Sequence, residues 1–145
     1  MRNVKNQSEF PIVFQNSHND CGLACLKSLA IYYGRVFRID ETTDNDPMIT
    51  EHGMTLYALR TELERMGLKS LPVKCSAEDI ATQTPLPAIA LLNNEHYIII
   101  YDADETTVSV ADPAWGLIDT SYDGLRGVWY RPDESVGILL AIENR

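Results

Sequence analysis

Between Ala88 and Ala111 the chain passes through three apolar runs of strand length, AIALL, HYIIIY and VSVA, separated by polar turn residues. Short turns fold consecutive strands back on one another, so this segment is constrained to an antiparallel sheet. ADET, between Tyr101 and Val108, reads as a hairpin turn, and DPAWG as a second tight turn in which Gly116 takes a conformation other residues resist. LKSLPVK, just after Gly67, alternates like a strand, and Gly137 to Ile142 reads as a final one.

Helical patterns come first in the chain. Leu23, Leu26, Ala30 and Tyr33 recur at helical spacing and predict a helix from Cys21 to Tyr33 that stops at Gly34. Thr55 reads as an N-cap for a second helix, with Leu56, Leu59, Leu63 and Met66 on one face and Gly67 closing it. Ser76, with Asp79 three residues on, opens a short third helix. The arm up to Ile12 or Val13 is extended because Pro11 excludes helix, and residues 35–53 read as acidic loop with at most one helical turn. Helices followed by turn-linked strands predict an α+β domain, its N-terminal helices packed on an antiparallel sheet.

At 145 residues, with 45% hydrophobic and 23% charged residues, the chain fits a single globular domain spanning residues 1–145. No apolar run approaches the ~20 residues of a membrane-spanning helix, and the polar N-terminus lacks the apolar core of a secretory signal, so a soluble domain is expected. A net charge of -9 argues against a nucleic-acid partner and is compatible with a basic or neutral peptide. Three cysteines without a secretory signal fit a reducing, cytoplasmic location.

Cys21 stands where the first helix begins, after the turn and N-cap formers Asn16, Ser17, Asn19 and Asp20. A helix N-terminus and a nearby imidazolium are two ways of lowering a thiol pKa from about 8.5 into the range where thiolate dominates. Cys21 is therefore the candidate nucleophile.

A cysteine nucleophile needs a base within reach and a third group to orient that base. Of the three histidines, His18 lies in the polar loop before Cys21 and His52 beside Gly53 in the acidic segment. His96 differs, because it opens the HYIIIY strand and so stands at the rim of the sheet. Asp112 closes VSVA at the other end of the same hairpin, and pairing of the two strands makes His96 and Asp112 neighbours. His96 is the candidate base and Asp112 the carboxylate that fixes its tautomer and stabilises its charged form. An oxyanion hole is available from the backbone N-H of Cys21 and the side-chain amide of Gln15, six residues upstream.

The run Gln15 to Gly34 with its DCG and closing YYG, GMTLYALRTELERMGL, PLPAIALLNNEHYIIIY and VADPAWG together resemble the bacteriocin-processing peptidase family. These are the papain-like cysteine peptidase domains at the N-terminus of peptidase-containing ABC transporters. The four blocks cover nearly the whole chain in the family's order. The resemblance implies Cys21 as nucleophile, His96 as base, Asp112 as orienting acid and Gln15 as oxyanion donor, with no cofactor or metal. It also implies cleavage of a secreted precursor's leader after a double-glycine motif, coupled to export by attached transmembrane and nucleotide-binding domains at the cytoplasmic face of a bacterial membrane. The acidic RIDETTDND segment, and Cys25 where the family often has a small residue, depart from the family pattern.

Competing readings attach to the same residues. Cys25 and Cys75 read as buried hydrophobes. His18, Cys21 and Cys25 have short metal-ligand spacing, but structural zinc needs four protein ligands and Cys75 belongs to another segment. A non-catalytic docking domain of a transporter is the alternative from another class, against which the joint presence of Cys21, His96 and Asp112 argues. Acyl transfer to a non-peptide substrate would use the same three residues.

Overall fold

The computed structural model describes residues 10–17, 19–37, 49–50 and 53–144. Helix α1 (Cys21–Tyr33) comes first, followed by a two-residue ladder of β1 (Ile49–Thr50) and β2 (Gly53–Met54) and then helix α2 (Leu56–Arg65). Strand β3 (Leu68–Cys75) leads into a 3-10 turn (Ala77–Asp79) continuous with the short helix α3 (Ile80–Gln83). Strands β4 (Ala88–Leu91), β5 (Tyr97–Ala103), β6 (Thr107–Asp112) and β7 (Gly116–Ser121) follow, then helix α4 (Tyr122–Trp129) and strand β8 (Gly137–Asn144). The six long strands form one antiparallel sheet in the order β3-β8-β4-β5-β6-β7.

Both faces of the sheet are covered. Ile89, Ile99, Ala111, Leu140 and Ile142 face the cluster that includes Leu26 and Leu29 of α1 and Leu59 and Leu63 of α2. The intervening positions Ala90, Ile98, Ile100, Val110 and Leu139 face a second cluster with Ile80, Leu125 and Trp129. A strand buried on both sides needs apolar residues at every position, which is why HYIIIY is continuous rather than alternating.

Helix ends follow the local chemistry in three of the four expected places, Gly67 closing α2 at φ +82° with its N-H on the Glu64 carbonyl at 2.9 Å. Thr55 accepts from the Ala58 N-H at 3.1 Å, and Gly34 takes φ +66° beyond α1, where its N-H returns to the last turn. Ser76 precedes its 3-10 turn without a side-chain capping bond. Four elements have no counterpart in the sequence reading, β1, β2, β7 and α4. Helix α4 is capped by Ser121, which accepts from the Gly124 N-H at 3.0 Å, and packs Trp129 so tightly on Gly137 that no Cβ fits there. The β1-β2 ladder occupies part of the segment expected to be loop, most of which lies outside the described residues. Among the described residues, no helix is long and apolar enough to cross a membrane.

Candidate active site

Cys21 begins α1 and is 5% exposed. Asp20 occupies the N-cap position but makes no capping bond through its side chain. Its carboxylate turns back instead, accepting the Asn16 N-H on Oδ2 and the Ser17 N-H on Oδ1, each at 3.0 Å. The turn formers before Cys21 thus build a closed polar loop rather than a conventional side-chain cap. The helix start, with its excess of partial positive charge, is left facing the thiol.

The arm carrying Gln15 is fixed at three points. Phe10 stacks on Tyr101 with ring centroids 4.6 Å apart. The Val13 N-H donates to Oγ of the buried Ser28 at 2.8 Å, and the Gln15 N-H donates to the Pro113 carbonyl at 3.0 Å. The last bond ties Gln15 to the turn after Asp112. The Gln15 side chain donates from Nε2 to the Ser17 carbonyl at 2.8 Å, while its Oε1 is buried with no hydrogen-bond partner among the described residues. An amide carries two donor hydrogens, so the Ser17 carbonyl fixes which way the group faces and leaves one hydrogen for another acceptor.

His96 sits at the end of the β4-β5 turn, immediately before β5. The Leu92 N-H donates to the His96 carbonyl at 2.8 Å, and Glu95 takes φ +66° to close the turn. Asn93 braces this turn from the far side of the sheet: its N-H donates to the Val128 carbonyl at 2.8 Å, and its Nδ2 reaches the Gly127 and Tyr130 carbonyls at 3.3 Å. The β5-β6 register pairs Ile99 with Ala111, which brings the start of β5 and the end of β6 together at the open end of the hairpin. His96 Nε2 lies 2.7 Å from Asp112 Oδ1, with the two side chains 18% and 13% exposed.

Cys21 lines the same cleft as His96 and interacts electrostatically with its imidazole. Burial of the ring opposes its protonation. The hydrogen bonds and charges of Asp112 and Cys21 outweigh that cost and push the His96 pKa up to about 9. The Tyr97 backbone N-H points at Cys21 Sγ at 3.5 Å. Tyr97 also donates from its hydroxyl to the Met54 carbonyl at 2.9 Å, tying β2 to the site. Cys25, one turn further along α1, is fully buried, and that burial first, then the Cys21 charge, raises its thiol pKa well above the ordinary value. Its environment is that of a core residue, as expected.

A cleft of about 330 Å³ opens over these groups, with Gln15, Asn19, Cys21, Gly53, His96 and Trp115 among its lining. All four residues singled out in the sequence meet here: Cys21, His96 and Gln15 line the cleft, and Asp112 holds His96 from behind. Trp129 is wholly buried away from the cleft, its indole N-H donating to the Ile138 carbonyl at 2.9 Å. Asp20, Asn93 and the Tyr97 N-H complete the surroundings, in roles that the sequence alone does not reveal. The turn-forming character of Asp20 and Asn93 was visible, but not their partners. Among the described residues no cluster of His, Cys, Asp or Glu is arranged to hold a metal, and His18 and His52 lie outside them. A buried thiol, an imidazole oriented by a carboxylate, and a fixed amide beside a helix start can together carry out acyl transfer through a thioester.

Comparison with known proteins bears on both fold and chemistry. The Peptidase C39 family matches residues 9–132 of this chain. A lactococcin-G-processing and transport ATP-binding protein of Lactococcus lactis subsp. lactis is 26% identical over 137 residues, covering 89% of this chain and 18% of that protein. An SPbeta prophage-derived sublancin-168-processing and transport ATP-binding protein of Bacillus subtilis (strain 168) is 35% identical over 104 residues, covering 68% of this chain and 14% of that protein. The chain spans less than a fifth of the length of these two relatives. Among solved structures, a double glycine motif protease from an AMS/PCAT transporter, in complex with the leader peptide, superposes with a TM-score of 0.79 at 18% identity, covering 93% of this chain and 91% of that one. The structural likeness establishes the papain-like α+β fold.

Proposed function

The chain belongs to the peptidase C39 family, and on that ground we propose that it is a cysteine endopeptidase that removes the leader of a secreted, bacteriocin-like precursor after a double-glycine motif. Cys21 is the nucleophile, His96 the general base and acid, Asp112 the group that orients His96, and Gln15 with the Cys21 backbone N-H the oxyanion donors. The observation that carries this reading is the 2.7 Å contact between His96 Nε2 and Asp112 Oδ1, with His96 and Cys21 lining one cleft. With Nε2 engaged by Asp112, Nδ1 is the nitrogen left to serve the thiol.

In the reaction, the Cys21 thiolate adds to the scissile carbonyl carbon and the carbonyl π electrons move onto oxygen, where Gln15 Nε2 and the helix-start N-H receive them. Collapse of the intermediate breaks the C-N bond. The imidazolium gives its proton to the departing nitrogen, leaving a thioester on Sγ. Water then loses a proton to His96 as its oxygen attacks the thioester carbon, and the returning proton restores the thiol as the acid product leaves. Each oxyanion donor is worth about 2.7 to 4 kcal/mol in comparable sites.

The names of the relatives, which process and transport lactococcin G and sublancin 168, support export-coupled processing. We accordingly place residues 1–145 as the peptidase domain of a longer ABC transporter, on the cytoplasmic side of the membrane, with the transmembrane and nucleotide-binding domains as its partners. Incubating the domain with a precursor carrying a double-glycine leader tests the activity. Cleavage after the second glycine, lost in Cys21→Ala, is expected; cleavage that survives Cys21→Ala overturns the assignment, and binding without cleavage favours a docking domain.

A further inference from the structure

The cleft over Cys21 has two unlike walls. Gly53 contributes no side chain, and it stands against the Asn19 carbonyl at φ +91°, which leaves that wall bare. Trp115 borders the same cleft with its indole 80% exposed. Phe14, itself 55% exposed, lays its ring against Gly116, the residue after Trp115, with Cζ 3.6 Å from where a Cβ would stand. A large aromatic open to solvent at the rim of a cleft is apolar surface that a ligand would cover.

The turn that carries the indole is rigid and tied to the reacting groups. The Trp115 N-H donates to the Asp112 carbonyl at 3.0 Å, the Ala114 N-H to Asp112 Oδ1 at 2.9 Å, and the Gln15 N-H to the Pro113 carbonyl at 3.0 Å. His96 must hand its proton to the departing nitrogen, so the departing residue lies on the His96 side of the thiol. The rim on that side is the turn from Asp112 to Gly116.

We propose that Trp115 receives the side chain of the first residue after the scissile bond and selects cargo peptides that begin with an apolar or aromatic residue. The inference rests on the peptidase reading above and adds the half of the substrate that a double-glycine rule leaves open. Glycines lie along the bare Gly53 wall, and a large apolar side chain follows against the indole. Glu95, in the same lining, and Asp112 behind it disfavour an acidic residue at that position.

The test is a set of three precursors that differ only after the double glycine, with Phe, Ser or Asp. kcat/KM is measured for the wild type, Trp115→Ala and Trp115→Phe. The wild type is expected to prefer Phe over Ser by about 10- to 200-fold, the range set by one apolar contact, with Asp the poorest. Trp115→Ala brings the Phe-to-Ser ratio to within about twofold, and Trp115→Phe restores much of it. Equal rates for Phe and Ser in the wild type, or a ratio unchanged in Trp115→Ala, overturn the inference while leaving the peptidase assignment standing. Failure of the wild type to cut any of the three overturns the assignment itself, and the inference with it. The indole is exposed, so a thermal midpoint within a degree or two of wild type separates selection from unfolding.

Discussion

Asp112 Oδ1 is shared between His96 Nε2 at 2.7 Å and the Ala114 N-H at 2.9 Å, so the oxygen that orients the imidazole is itself held by the turn that follows it. Asp112→Ala removes both the acceptor and its charge, and a drop of about 10²- to 10³-fold in kcat/KM is expected. Asp112→Asn keeps an acceptor for the ring N-H and loses only the charge, so its loss is smaller, about tenfold. Equal losses in the two variants would show that the charge carries the effect and hydrogen-bonded orientation does not.

The raised His96 pKa sets a pH window. Its imidazolium is held up to about 9, against 6.5 for the free side chain. The peptidase plateau is expected to end near pH 9 and to end lower in Asp112→Asn, where one source of the shift is gone. A folded-state pKa above the unfolded one contributes stability that is full below about 6.5 and is lost as pH rises through about 9. Urea midpoints should therefore fall across that interval in the wild type and fall less in Asp112→Asn. A wild-type activity profile that declines already at pH 7 would contradict the ion pair.

The pairing of His96 with Asp112 was legible in the sequence because both residues sit on one hairpin sixteen residues apart, and a hairpin fixes its own register. The apolar run HYIIIY and the turn DPAWG were enough to place them. Strand β7 and helix α4 were not legible, for two local reasons. GLIDTS is an edge strand largely exposed along its length, without a clean alternation. YDGLRGVW places Tyr122, Leu125 and Trp129 at helical spacing, but at eight residues with two glycines its propensity argues against a helix. Asp20 illustrates a different limit. Its identity fits a helix cap equally well, and only the fold shows its carboxylate turned back to Asn16 and Ser17.

That choice by Asp20 has a consequence for Gln15. The Asp20 carboxylate holds the Ser17 backbone, and the Ser17 carbonyl in turn accepts from Gln15 Nε2 at 2.8 Å. Asp20 is thus a positioning residue for the oxyanion donor. Asp20→Ala is expected to lower kcat by about tenfold with little change in KM, short of the 10²- to 10³-fold expected for Gln15→Ala. Adding Gln15→Ala to Asp20→Ala should then cost less than it does alone. Full additivity of the two losses would show that Asp20 does not act through Gln15.

Gly53 tests the bare wall. Its φ of +91° is one that L side chains rarely adopt, and an added Cβ would stand 3.3 Å from the Asn19 carbonyl oxygen, a backbone atom with little room to retreat. Gly53→Ala therefore combines backbone strain of about 1 to 3 kcal/mol with a methyl group in the cleft lining. A lower thermal midpoint is expected, together with a fall in kcat/KM on double-glycine precursors measured well below that midpoint. The residual activity separates two causes. If strain alone were responsible, saturating precursor would restore the folded population and the full kcat; a narrowed wall instead leaves KM raised at temperatures where the variant is fully folded. A variant with wild-type KM and wild-type midpoint would show that this backbone gives way and that Gly53 does not shape the cleft.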